Sequence, residues 1–158
     1  MSMRGLLFIL CIIVFALNNS AGQNPIFVGQ IGSHQSKYEK TVNTNPIQLL
    51  EVCNNNLDSA YQIWVDVMYD FEKFAEAANY DLKGLKLWVH IFVIDGKIRE
   101  LYYHPKPNSR NTDYTKVTSL LEKFVKVYNF PIKSLIAFNH YGSASFPVFH
   151  IRHVEYEK

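Results

Sequence analysis

Residues 85–94 (LKLWVHIFVI) alternate on a period of two. Leu85, Leu87, Val89, Ile91 and Val93 share one face, and Trp88, His90, Phe92 and Ile94 share the other. Neither face is polar enough to meet solvent, which predicts an interior strand. Asp95-Gly96 comes next, and residues 97–103 repeat the strand pattern. Asp-Gly between two such runs predicts a tight hairpin, because glycine supplies the positive φ that the favoured turns need. Pro105 and Pro107 end the second strand, since neither can donate to a ladder.

On either side of the hairpin the period changes to that of a helix. Between residues 59 and 78, Ala60, Trp64, Met68, Phe71, Ala75 and Ala78 fall on one stripe. Residues 61–69 also alternate as a strand would, with Tyr61, Ile63, Val65, Val67 and Tyr69 in phase. The longer window and the helix-prone run 71–78 favour a helix, capped by Asp58 or Ser59. After the hairpin, Val117, Leu120, Leu121, Phe124 and Val127 form a second apolar stripe. It starts at Asn111 or Thr112 and stops before Pro131. A short apolar helix is expected around residues 47–53. Gly142-Ser143-Ala144-Ser145 is expected as a turn, and 146–154 (FPVFHIRHV) as a closing strand. Residues 23–45 are polar with scattered apolar positions and read as an extended, partly ordered lead-in. The predicted fold class is therefore α+β: a two-layer domain over residues 46–158, with an antiparallel three-stranded sheet and two main helices in αββαβ order.

The N-terminus carries an address rather than a fold. Arg4 precedes the apolar run 6–17 (LLFILCIIVFAL), and Ser20-Ala21-Gly22 supplies small residues suited to cleavage before Gln23. That order predicts a secretory signal peptide over 1–22, because the run is well short of the ~20 residues needed to span a bilayer. The mature chain is expected in the periplasm or secreted, with no stable membrane span. Removing 1–22 takes away Arg4 and no acid, leaving 15 basic against 14 acidic residues. Such a balance makes no electrostatic case for nucleic acid or an anionic membrane as partner. Cys11 leaves with the signal, so Cys53 is the one mature cysteine and an internal disulfide is impossible. Its place in an apolar helical pattern predicts a buried structural thiol.

Several segments, taken in order, resemble the C-terminal domain of TonB-type energy transducers. Phe74-Ala75-Glu76-Ala77-Ala78 resembles that family's alanine-bearing helix end. Leu82-Lys83-Gly84-Leu85-Lys86-Leu87-Trp88-Val89 resembles the glycine and strand that follow it, and Val93-Ile94-Asp95-Gly96-Lys97-Ile98 its hairpin turn. The helix 117–128 with Asn129-Phe130-Pro131 is similar to the second helix and its aromatic-proline end. Phe146-Pro147-Val148-Phe149-His150-Ile151 is similar to the closing strand. The likeness covers residues 70–152, about half the chain. It implies recognition of a short strand from another envelope or outer-membrane protein at an exposed sheet edge. Phe146, Val148, Phe149, His150, Ile151 and Arg152 are then the expected partner-binding residues; the alternative is that residues 23–45 cover that edge. Transducers of this kind carry a retained anchor and a long linker. Segment 23–45 is too short and proline-poor for that role, so proton-motive coupling is not implied.

Other chemistry is sparse. His90, His104, His140, His150 and His153 lie in the second half of the chain, but no His-x-x-x-His or Cys-x-x-Cys spacing accompanies them. Gly142-Ser143-Ala144-Ser145 lacks the Gly-x-Ser-x-Gly pattern of a nucleophile elbow. Tyr102, Tyr103, Tyr114, Tyr128 and Tyr141 cluster near the variable loops, as recognition surfaces or as half-buried structural rings. No cofactor is expected. The expected function is an exported non-enzymatic binding module. The alternatives are a histidine-based metal-binding or hydrolytic enzyme, and a membrane-tethered transducer.

Overall fold

The computed structural model describes residues 25–149. The leader expected over 1–22 lies outside the described residues, as do His150, Ile151, Arg152 and His153. Eight elements follow one another: β1 (Phe27–Gln30), α1 (Gln35–Thr44), α2 (Leu49–Val52), α3 (Leu57–Ala77), β2 (Lys86–Ile94), β3 (Lys97–Pro105), α4 (Tyr114–Val127) and β4 (Phe138–Ser145). The strands form one mixed sheet in the order β1-β3-β2-β4.

The hairpin forms where its turn chemistry places it. Asp95 and Gly96 both adopt positive φ, 51° and 65°, the geometry of a type I′ turn. β2 pairs antiparallel with β3 on one side and with β4 on the other, which satisfies both of its edges, and both of its faces are buried in the middle of the strand, one in the apolar core and the other beneath Tyr38. α3 lays Ala60, Trp64, Val67, Met68, Phe71 and Ala75 against the sheet; Asn56 caps it by accepting the Ser59 N–H at 2.9 Å, in place of Asp58 or Ser59. α4 is capped by Asp113 and buries Val117, Leu120, Leu121, Phe124 and Val125. Val127 is 64% exposed, because it lies roughly a quarter turn from the axis of that stripe and ends the helix.

Three expectations are corrected. Residues 23–45 are not an extended lead-in. Residues 27–30 add a fourth strand, parallel to β3 in the register Phe27↔Glu100 to Gln30↔Tyr103, and residues 35–44 form α1. The sheet is thus four-stranded and not wholly antiparallel. The layering also changes. α3 and α4 cover the face bearing Leu87, Val89, Ile91 and Leu101, while α1 covers part of the opposite face through Tyr38 and Thr41.

The third correction concerns the last strand. It spans Phe138–Ser145, so Gly142-Ser143-Ala144-Ser145 is strand and not turn. Two small residues of β4, Gly142 and Ala144, fall on the face toward α3, which hides the period-two pattern from a hydrophobicity reading. The reason for glycine is close approach: a Cβ at Gly142 would stand 2.6 Å from the Trp64 ring. Past Ser145 the chain leaves the sheet. The Phe146–Pro147 peptide is cis, and the Val148 N–H donates to the Glu72 carboxylate on α3 at 3.0 Å.

Candidate binding site

The described part of the expected edge strand, residues 146–149, does not form a strand. Phe146 is 4% exposed, packs on Phe71 with ring centroids 5.7 Å apart, and exchanges backbone bonds with Gly84 and Leu85. Val148 is half-buried; of the expected residues inside the described chain, only Phe149 is open, at 91%. Residues 146–149 therefore present no free strand edge. That role falls to β4, which ends the sheet one segment earlier.

The outer edge of β4 is occupied at both ends and open between them. At the first end, the Asn139 N–H donates to the Ile47 carbonyl at 2.8 Å, and Gln48 forms a single parallel bridge with Asn139. At the far end, the Trp64 indole N–H donates to the Ser143 carbonyl at 2.9 Å. Strand alternation turns the main chain of Tyr141, midway between these two, to the same outer side. Among the described residues no group bonds the Tyr141 N–H or C=O on that side.

This opening faces a cavity of about 430 Å³ between β4, α3 and residues 42–50. Trp64, His90, His140, Asn139 and Leu50 form its walls, and Leu57, Tyr61 and Tyr141 stand at its rim. Tyr61 is 64% exposed and Tyr141 46%, large aromatic surfaces left in water beside an apolar hollow. No aspartate, glutamate, lysine or arginine lines it. Its volume falls in the range of small-ligand and side-chain pockets.

The two histidines are held neutral. Asn139 Nδ2 donates to the carbonyls of Asn45 (2.7 Å) and Ile47 (3.0 Å), which turns its Oδ1 toward His90 Nε2 at 3.0 Å. An amide oxygen only accepts, so His90 carries its proton on Nε2. Its Nδ1 then accepts from the Tyr38 hydroxyl at 3.1 Å. Burial lowers the His90 pKa below its ordinary value, although the bond to Asn139 opposes the shift. His140 packs against Trp64 with ring centroids 4.8 Å apart and planes tilted by 49°; burial first, and the nearby His90 second, push its pKa down to about 4. The cavity thus offers aromatic faces, neutral imidazoles and one open peptide unit, a set suited to an uncharged apolar group.

The remaining candidates scatter. His104 lies on the second sheet face opposite Trp88, and among the described residues no three His, Cys, Asp or Glu side chains are placed to share a metal ion. Ser143 Oγ meets Lys106 Nζ rather than a histidine. Tyr102 and Tyr103 are buried, whereas Tyr141 faces solvent at the cavity mouth. Cys53 is half-buried, with its thiol pKa raised by burial. Sequence reasoning missed Trp64, which it took as helix stripe, and Tyr61, which it placed only in the strand-like alternation. No described helix is long and apolar enough to cross a membrane. Comparison with protein-family models, curated proteins and solved structures finds no match to this chain.

Proposed function

We propose that this chain is an exported, non-enzymatic binding module, a TonB C-terminal-like αββαβ domain extended by β1 and α1. Its target is a short extended segment of an envelope protein. One residue of that segment pairs with the Tyr141 main chain and drops an uncharged apolar side chain into the adjoining cavity. The observation that carries this reading is the coincidence of an unpaired peptide unit on an edge strand with an uncharged aromatic hollow beside it. Trp64 and residues 47–48 occupy the edge on both sides of Tyr141, which favours one or two backbone bonds over the addition of a full strand.

The test uses a capped peptide with one phenylalanine among threonines, and its alanine counterpart, titrated against ¹⁵N-labelled mature protein. The phenylalanine peptide is expected to shift the Tyr141 amide resonance and the Trp64 indole resonance; the alanine peptide is not. Tyr61→Asp, at an exposed rim position, should abolish the response while leaving the rest of the spectrum in place. Equal responses to both peptides, or none to either, would overturn the reading. N-terminal sequencing of the protein from its own envelope checks the address: a start near Gln23 supports export, and a retained leader supports a tethered protein.

A further inference from the structure

We infer that the loop between α4 and β4 is a lipid-docking tip: Leu135 and Ile136 enter an anionic bilayer surface, and Lys97, Lys126 and Lys133 meet its headgroups. None of these residues lines the cavity, so the lipid site and the peptide site stand or fail separately.

The loop is closed at its base. Phe130 and Phe138 are both buried, with ring centroids 5.4 Å apart, and the Phe130 N–H donates to the Gly96 carbonyl at 2.9 Å. Residues 131–137 therefore leave and re-enter the fold beside the hairpin turn. Ile132 turns inward and packs against the core. Leu135 and Ile136 do not: they are 105% and 62% exposed, and within this bend the Ser134 hydroxyl accepts the Ile136 N–H at 3.1 Å. Two adjacent exposed aliphatics, unlike a single one, form a contiguous apolar surface in water. Val127, exposed at the end of α4, adds to the apolar surface at this end of the molecule.

The charges around the loop are mostly of one sign. The Lys133 stem lies over the hairpin turn, where a Cβ at Gly96 would stand 3.3 Å from it. Lys97 Nζ donates to Asn129 Oδ1, which ties that ammonium to the base of the loop. Lys126 lies in the last turn of α4. The ion pairs among the described residues are Lys73–Glu76 and Arg110–Asp81, so none of these three lysines has a carboxylate partner there. Asp95 is the acid of the turn itself, and on the α3 side Asp70 bonds the Tyr128 hydroxyl. A chain with 16 basic and 14 acidic residues thus gathers three ammonium groups around one aliphatic tip.

An apolar tip ringed by cations matches the boundary of a bilayer, where acyl chains lie beneath anionic headgroups. Leu135 at full exposure stands clear of the surface, and a fluid bilayer requires no matching shape around it. Insertion of two aliphatic side chains is shallow and reversible, and attraction between the lysines and the headgroups adds to it.

The experiment uses the chain from Gln23, which carries every described element, so the apolar run 6–17 contributes nothing to lipid binding. The protein is sedimented with vesicles of phosphatidylcholine alone, or of phosphatidylcholine mixed with phosphatidylglycerol. Binding is expected to favour the mixed vesicles and to weaken with salt. Leu135→Ser combined with Ile136→Ser should lower the partition coefficient about tenfold or more, at an unchanged urea midpoint. Lys126→Gln and Lys133→Gln should each lower it about fivefold, and Lys133→Arg should hold it. In Leu135→Trp, brominated acyl chains should quench the added fluorescence, which places that side chain below the headgroups. No binding to mixed vesicles, equal binding to both compositions, or binding that the double serine variant retains overturns the lipid site. So does self-association that is lost in Leu135→Ser without vesicle binding, which would assign the tip to a second copy of the chain.

Discussion

The two faces of the sheet are built on different principles. Toward α3 and α4, Leu87, Val89, Ile91 and Leu101 meet Val67, Phe71, Leu121 and Phe124, an almost wholly apolar interior. Toward α1, the middle of the same strands carries His90, Tyr102 and Glu100, tied to Tyr38, Thr41 and Asn139 by hydrogen bonds. The first face is stabilised by area removed from water, which is non-directional and forgiving of shape-conserving exchange. The second is set by orientation: the carbonyls of Asn45 and Ile47 fix the Asn139 amide, which fixes the His90 tautomer, which fixes what Tyr38 must donate to. Beyond Tyr38 no helix among the described residues covers that face, and there Tyr141 is 46% exposed. A sheet with one aliphatic face and one polar, half-covered face therefore separates stabilisation by burial from stabilisation by oriented hydrogen bonds within the same three strands.

The comparison is broken most severely from the apolar side. Phe71 is buried between Phe124 (5.3 Å between centroids) and Phe146 (5.7 Å), so Phe71→Ala should cost about 3–5 kcal/mol in urea unfolding. A loss well under 2 kcal/mol would mean that this face is not the main source of stability.

Acidification sharpens it next, through the cavity histidines. The folded His140 pKa of about 4 lies below its ordinary 6.5, so the unfolded chain takes up the proton first. This group's contribution is whole above about pH 6.5 and falls away as the pH drops toward 4, by on the order of 3 kcal/mol. His90, also lowered by burial, acts with the same sign. Urea midpoints at pH 7, 5.5 and 4, compared with those of His140→Phe, isolate the effect. Parallel profiles for the two proteins would show that His140 does not titrate with unfolding.

The smallest effect belongs to the polar face alone. Tyr38→Phe removes the donor to His90 Nδ1 and should cost about 1 kcal/mol. In a His90→Phe background the same change should cost nothing more, because the partner is already gone. Equal costs in both backgrounds would show that the energy does not lie in the bond to His90.

How much of this was legible in the chain depends on distance along it. The Asp95-Gly96 turn, the interior position of β2, and helices α3 and α4 are written in residues that touch their own neighbours within a few positions. Period and turn chemistry therefore sufficed. Val127 failed because a helical stripe narrows at its last residue, and the helix caps moved by one to three residues as local alternatives competed. The site was less legible. Tyr61 and Trp64 sit on a helix whose apolar positions look alike whether they line a core or a cavity.

By itself the sequence determined the hairpin, the two long helices, a mixed α+β class and the near-balance of charge, all properties of local periodicity and composition. Only the tertiary structure decided that residues 27–30 pair with a strand over seventy positions away, and that 138–145 form the fourth strand while 146–149 leave the sheet. It also decided that Trp64 reaches the carbonyl of Ser143 across the edge. The physical reason is common to all three. A short strand with small residues carries little local preference, and its backbone groups acquire partners only when a distant edge is in place to receive them. Gly142 shows this best: in the chain it looks like a turn, and in the fold it is the space that lets an indole lie against a strand.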